Sequence, residues 1–166
     1  TVYCHTGITS IGTLGANVKN VIFEEPSTIK VIEEGDLHEA DIETFILPTS
    51  VETIEELSLP NPTNFKLFVI PQQSRLTKIE HDHYGPFGPL ENTGTTMSLI
   101  CFLSRPISLQ CLFHYSSSYF FNHRRSEGNL YVPMNSIDLY KASHWAEDFG
   151  NRVIAIEDSE YKDMKF

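Results

Sequence analysis

The sequence predicts a β-rich repeat solenoid, built of short strands and turns with little helix and closed at its C-terminal end by a capping unit with a short helix. Three observations predict it: an apolar triplet recurs at fixed spacing, a second apolar pair recurs between its copies, and the last segment abandons both for a helical spacing. A fixed period of a few tens of residues signals a repeat architecture, in which no unit can bury its apolar edge until a neighbour stacks on it.

Taken in order, Val18-x-x-Val21-x-Phe23 is the first clear triplet. Ile42-x-x-Phe45-x-Leu47-Pro48 and Phe65-x-x-Phe68-x-Ile70-Pro71 follow in register, with Leu47 and Ile70 at equivalent places in successive copies. Met97-x-x-Ile100-x-Phe102 repeats the spacing after a longer interval, and Leu130-x-Val132-Pro133 repeats its final part after another long one. Pro48, Pro71 and Pro133 each follow the last apolar residue, where a missing backbone donor ends strand pairing. The second edge reads Ile29-x-x-Ile32, Val51-x-x-Ile54 after Ser50, and Leu76-x-x-Ile79 after Ser74, with Ile8-x-x-Ile11 as a candidate first copy. A serine hydroxyl at those entries is suited to bonding local backbone in a tight turn.

Two stretches interrupt the pattern and are expected to project as loops. One runs from His81 to Thr96 and contains Gly85, Pro86, Gly88, Pro89 and Gly94; the other, from His114 to Gly128, is rich in aromatics and serine. Beyond them Ile137, Tyr140, Trp145 and Phe149, with Ser136 before and Gly150 after, predict a short helical cap, and Arg152 to Ile156 a last strand. The expected organisation is one domain over residues 1–166, with repeats over 1–128 and a capping unit over 129–166.

These residues resemble the BspA-type leucine-rich repeat, a surface-protein repeat of about 23 residues written loosely as L-x-x-I-x-I-P-x-S-V-x-x-I-G. The copy nearest that pattern is Ile42 to Glu55, with Phe45, Leu47, Pro48, Ser50, Val51 and Ile54 falling on it. Val18 to Glu34 is similar to the companion form with F-x-E in place of I-P. Leu130-Tyr131-Val132-Pro133, Ser136, Tyr140, Trp145, Phe149 and Asn151 resemble the closing unit L-Y-V-P-x-x-S-x-x-x-Y-x-x-x-x-W-x-x-F-x-N. The family's A-F after the second edge is absent; Asp36-Leu37 and Leu57-Ser58 stand roughly in its place. The resemblance implies an extracellular or surface-anchored microbial protein with an adhesion or host-contact role, although a fold alone does not determine function.

Composition narrows the classes further. The chain has 166 residues, 40% hydrophobic and 20% charged, enough for one self-sufficient core. Its longest apolar runs, Phe65 to Ile70 and Ser98 to Leu103, are far short of the roughly 20 residues of a membrane-spanning helix. With 12 basic and 22 acidic residues the net charge is −10, which repels polyphosphate and argues against nucleic acid. Cys4, Cys101 and Cys111 make an odd count without C-x-x-C spacing, so no disulfide framework or zinc site is implied. Cys101, between Ile100 and Phe102, is expected to be a buried structural thiol. Thr1 is not a methionine, and any targeting segment is expected to have been removed or never included.

Candidate chemistry is sparse. His81-Asp82-His83 places two imidazoles around a carboxylate, but it lacks a third ligand and reads as a solvated loop. A Ser-His-Asp triad has no G-x-S-x-G turn to support it, and the spacing of Gly85, Gly88 and Gly94 is wrong for dinucleotide binding. The aromatic patch Phe113 to Phe121, followed by His123-Arg124-Arg125, suits an interface hot spot or fills the end of the solenoid beneath its loop. No catalytic, cofactor or metal site is expected. The expected function is a non-enzymatic cell-surface or secreted module that presents a binding face to a protein or glycan. The alternative is a spacer domain of a larger surface protein. Asn20, Glu43, Thr44, Lys66 and Ser98 are the expected outward positions of that face.

Overall fold

The computed structural model describes residues 1–60, 64–81, 97–107, 110–111, 127–149 and 152–165. Most of the two expected loops lies outside these residues, including Asp82-His83, Gly85, Gly88, Gly94, the patch Phe113 to Phe121 and His123-Arg124-Arg125. So does the Asn151 of the expected closing unit.

Among the described residues the chain is β-rich with little helix. The strands are β1 (Val2–Cys4), β2 (Val21–Phe23), β3 (Val31–Ile32), β4 (Thr44–Ile46), β5 (Thr53–Ile54), β6 (Leu67–Ile70), β7 (Lys78–His81), β8 (Ser98–Cys101), β9 (Gln110–Cys111), β10 (Leu130–Val132) and β11 (Val153–Ala155). His81, the expected start of a loop, is thus the last residue of β7. Two short helices, α1 (Ile137–Lys141) and α2 (His144–Phe149), precede β11. Every paired strand is parallel, in a pair β1-β2, a five-stranded sheet β11-β10-β8-β6-β4 and a four-stranded sheet β3-β5-β7-β9.

From β3 to β10 the chain alternates between the two larger sheets, and each return adds the next strand. The triplets supply one sheet and the second edges the other. Thr44 pairs with Leu67 and Leu130 with Val153, two steps of equal length along the chain. One core lies between the sheets, with Phe45, Phe68 and Leu99 from one side meeting Ile32, Ile54 and Ile79 from the other. Phe68 stacks on Phe45 at 5.9 Å, and Phe23 meets Phe45 edge-on at the same distance, carrying the aromatic column across to β2. Pro48, Pro71 and Pro133 follow the ends of β4, β6 and β10, where pairing stops.

The structure corrects the expected register of the fourth triplet by one residue. Leu99, not Ile100, stands opposite Phe68, and Cys101, not Phe102, opposite Ile70; Leu99 in turn faces Leu130, so the steps on the two sides of β8 are equal. A slip of one residue exchanges the faces of a strand. Met97, Leu99 and Cys101 therefore point into the main core, and Ile100 points outward. Alternation gave a weak signal here, because Leu99 and Ile100 are both fully buried and the run from Leu99 to Leu103 is apolar throughout.

The turns after the second edge also differ from expectation. Gly35 (φ 83°) and Leu57 (φ 52°) occupy equivalent left-handed positions, tied by a hydrogen bond from the Gly35 N–H to the Leu57 carbonyl at 3.1 Å. Leu37 and Leu59, two residues further on, are the buried apolar plugs, while Asp36 and Ser58 are buried polar groups between them. Of the two serines, Ser74 caps its own turn by accepting from the Leu76 N–H at 3.2 Å, whereas Ser50 donates to the carbonyl of Ile29, just before β3, at 2.6 Å. The pair Ile8 and Ile11 forms no strand; Ile8 is exposed and Ile11 packs on the rim of the core.

At the C-terminal end α1 and α2 close the core. Tyr140, Trp145 and Phe149 are buried, with Tyr140 edge-on to Trp145 at 5.8 Å. Trp145 donates its indole N–H to the Ile107 carbonyl at 3.0 Å, and the Tyr140 hydroxyl donates to the Leu103 carbonyl at 3.1 Å, so both large rings bring partners for their polar ends. Gly128 passes so close to the Met97 carbonyl that a Cβ there would collide with backbone, which is why the chain enters β10 through glycine.

Candidate binding face

Because side chains alternate along a strand, the five-stranded sheet has an inner and an outer face. The inner face belongs to the main core. On the outer face the registers align Ile46, Val69, Ile100, Tyr131 and Ile154 in one row across β4, β6, β8, β10 and β11. Tyr3 and Ile22 form a similar outward pair on β1 and β2. An outer row of large apolar residues is unusual for a sheet with one wet face, where polar residues are the norm.

The row is covered at one end only. Val69, Ile100 and Tyr131 form a second buried cluster with Ile156, against which Tyr161 and Met164 pack. The segment after β11 thus folds back over the sheet it has just completed. Tyr161 sits edge-on to Tyr131 at 4.9 Å, and burial pushes the Tyr161 hydroxyl pKa up. Turns hold the segment in place: Ser159 donates its N–H to the Ile156 carbonyl at 3.0 Å, and Met164 to that of Tyr161 at 3.0 Å. Toward the other end Tyr3, Ile22 and Ile46 are 64%, 47% and 41% exposed. A groove of about 250 Å³ opens beside them at the break between β2 and β4, walled by Val21, Ile22, Phe23, Ile46, Leu47, Pro48 and Pro71.

Hydrogen bonds fix the groove's rim. The Glu25 carboxylate accepts from the Ser27 N–H at 2.9 Å and from the Thr49 N–H and hydroxyl, both at 3.1 Å, tying the exit of β2 to the exit of β4. Glu24 accepts from the Thr6 N–H at 3.0 Å and faces His5 at 3.4 Å, and these contacts hold its pKa below the ordinary glutamate value. Before the start of β4, outside the groove's lining, Asp41 joins Lys19 and Asn64, and Glu43 pairs with Lys66 at 3.2 Å.

Of the expected outward positions, Asn20, Glu43, Thr44 and Lys66 are exposed. Ser98 is half-buried and accepts from the Asn129 N–H at 3.1 Å, so it serves the sheet. The apolar row is not among the sequence expectations. Its signal lies in the second apolar residue of each strand, Ile22, Ile46, Val69 and Ile100, which a strictly half-exposed strand does not need.

The thiols of Cys4 and Cys101 are structural in setting. Burial pushes the Cys101 pKa up to about 11, and its sulfur lies 3.1 Å from the Tyr140 hydroxyl; burial likewise raises Cys4. Among the described residues no group of three or more His, Cys, Asp or Glu side chains is placed to hold a metal ion. No helix of the described residues is long and apolar enough to cross a membrane. Compared with family models, curated proteins and solved structures, the chain matches none.

Proposed function

We propose that the chain is a leucine-rich-repeat solenoid of the BspA type, on a cell surface or secreted, that binds a protein or glycan and carries out no catalysis. The observation that carries this reading is the exposed apolar stretch Tyr3, Ile22 and Ile46 with its adjoining groove. Large apolar residues concentrated on one exposed face mark interaction sites more often than scattered ones do. The alternating parallel strands, the equal steps from Thr44 to Leu67 and from Leu130 to Val153, and the helical closing unit support the repeat reading.

The test is equilibrium binding of the full chain to immobilised extracellular-matrix proteins and glycans, beside the double variant Ile22→Ser and Ile46→Ser. Saturable binding that the variant loses is the expected result. A chain that binds nothing on the panel, or a variant that binds equally well, would point to the spacer role.

A further inference from the structure

Resting on that reading, we infer that the exposed end of the outer row docks a cationic peptide segment that anchors an aromatic or methionine side chain over Ile22 and Ile46. The first ground is the molecule's own use of the row. Its other end is covered by Tyr161 and Met164, held in turns rather than added as a strand. The row thus accepts side-chain anchors from a turn, one aromatic and one flexible and aliphatic, a class of contact in which methionine adapts to irregular gaps. The exposed end presents the same surface chemistry, isoleucine beside isoleucine and a tyrosine, with no segment over it among the described residues.

The second ground is charge. Residues 1–60 contain 11 acidic and 2 basic side chains, a net −9, whereas residues 61–166 contain 11 acidic and 10 basic, a net −1. Nearly the whole net charge therefore belongs to the part of the chain that builds the exposed end. Both lysines of residues 1–60 are already paired, Lys19 with Asp41 and Lys30 with Glu52 at 2.7 Å. Glu25 lines the groove and Glu24 precedes it in the chain, and their hydrogen-bond partners among the described residues include no lysine or arginine. An acidic field around an apolar groove favours lysine or arginine beside the anchoring side chain and repels acidic segments. The chain's own 159–166 segment sets Glu160 and Asp163 against Lys162 and Lys165, a net charge of zero, so an acidic field offers it no attraction at this end.

The probe is a synthetic octapeptide with the sequence of residues 159–166 carrying Glu160→Lys and Asp163→Lys; the comparison peptide keeps the natural sequence. Each is titrated into the full chain with isoleucine methyl groups labelled for NMR. The expected result is saturable movement of the Ile22 and Ile46 methyl signals by the cationic peptide. The natural-sequence peptide is expected to bind at least about fivefold more weakly, and salt to weaken the cationic one, as for exposed charges. Ile22→Ser with Ile46→Ser, which leaves the charge unchanged but removes both reporters, is expected to abolish saturable binding of the cationic peptide, read by titration calorimetry. Equal binding of the two peptides, or movement centred elsewhere, overturns the inference. So does silence of Ile22 and Ile46 toward both peptides. If a matrix protein or glycan then moves those two signals, the broader binding reading stands and the peptide assignment alone has failed; if nothing moves them, both have failed.

Discussion

The two ends of the outer face are built by the same strand geometry and meet opposite fates. At β8 and β10, Ile100 and Tyr131 are sealed beneath Tyr161 and Met164; at β2 and β4, Ile22 and Ile46 face solvent. The difference does not lie in the strands, whose outward residues are apolar at both ends. It lies in the short segment after β11, which reaches only as far as β6 and β8. A covered row contributes to stability, while the exposed row contributes little and is available for contact.

The sharpest way to break this contrast is to place the same charge at both ends. Ile100→Asp buries a carboxylate without a partner and is expected to cost about 4 kcal/mol or more, enough to prevent folding, whereas Ile46→Asp, 41% exposed, is expected to cost about 1 to 2 kcal/mol. Chemical denaturation of both variants reads the difference, and equal losses would erase the distinction between the ends. Next in size is Trp145→Ala, expected to cost about 3 to 5 kcal/mol by leaving a void in the cap and stranding the Ile107 carbonyl. A loss below about 1 kcal/mol would show that the cap does not hold the stack together.

A smaller effect separates the ends by pH. Asp36 is buried near the exposed end, and burial raises its pKa above the ordinary aspartate value although its carboxylate accepts from the Glu33 N–H at 2.9 Å. An acid with a raised pKa in the folded state binds its proton more tightly there than when unfolded. Its contribution therefore favours folding at acid pH and is lost as pH rises through the raised value. Relative to Asp36→Asn, the natural chain is expected to lose stability over that interval, as thermal melts at stepped pH would show; a constant difference contradicts the assignment. The smallest effect is expected at Leu57. Its left-handed backbone costs a leucine about 1 to 2 kcal/mol, and glycine returns roughly half of that as added freedom of the unfolded chain. Leu57→Gly should then stabilise by about 0.5 kcal/mol, measurable as a higher denaturation midpoint, and destabilisation would mean that the side chain packs better than its half-buried position implies.

Much of the strand arrangement was legible because each inward residue must meet its equivalent one strand away. Phe45 to Phe68 carries that constraint, and so do Pro48, Pro71 and Pro133 at strand ends. Tyr140, Trp145 and Phe149 were legible as a cap by their helical spacing. Legibility failed where a strand is buried on both faces: in the apolar run Leu99 to Leu103 only Ser98 marks the outward phase, and Phe102, larger than Cys101, draws the reading to the wrong side. It failed again for the candidate site. Whether an outward isoleucine is exposed depends on where the 156–165 segment folds back, a long-range contact without local periodicity. Asp36 reads in sequence as one more solvated acid of an acidic turn, and long-range neighbours bury it, among them Leu14, whose N–H donates to the Asp36 carbonyl at 2.8 Å.

The most direct test of the divided face is solvent paramagnetic relaxation of the isoleucine methyl groups, with a soluble gadolinium chelate, in the natural chain and in the double variant Tyr161→Ala and Met164→Ala. In the natural chain Ile22 and Ile46 are expected to broaden strongly while Ile100 stays as sharp as the core residue Ile79; in the variant Ile100 should broaden and Ile79 remain unchanged. Equal broadening of Ile100 and Ile46 in the natural chain, or an Ile100 indifferent to the loss of both covering side chains, would contradict the account.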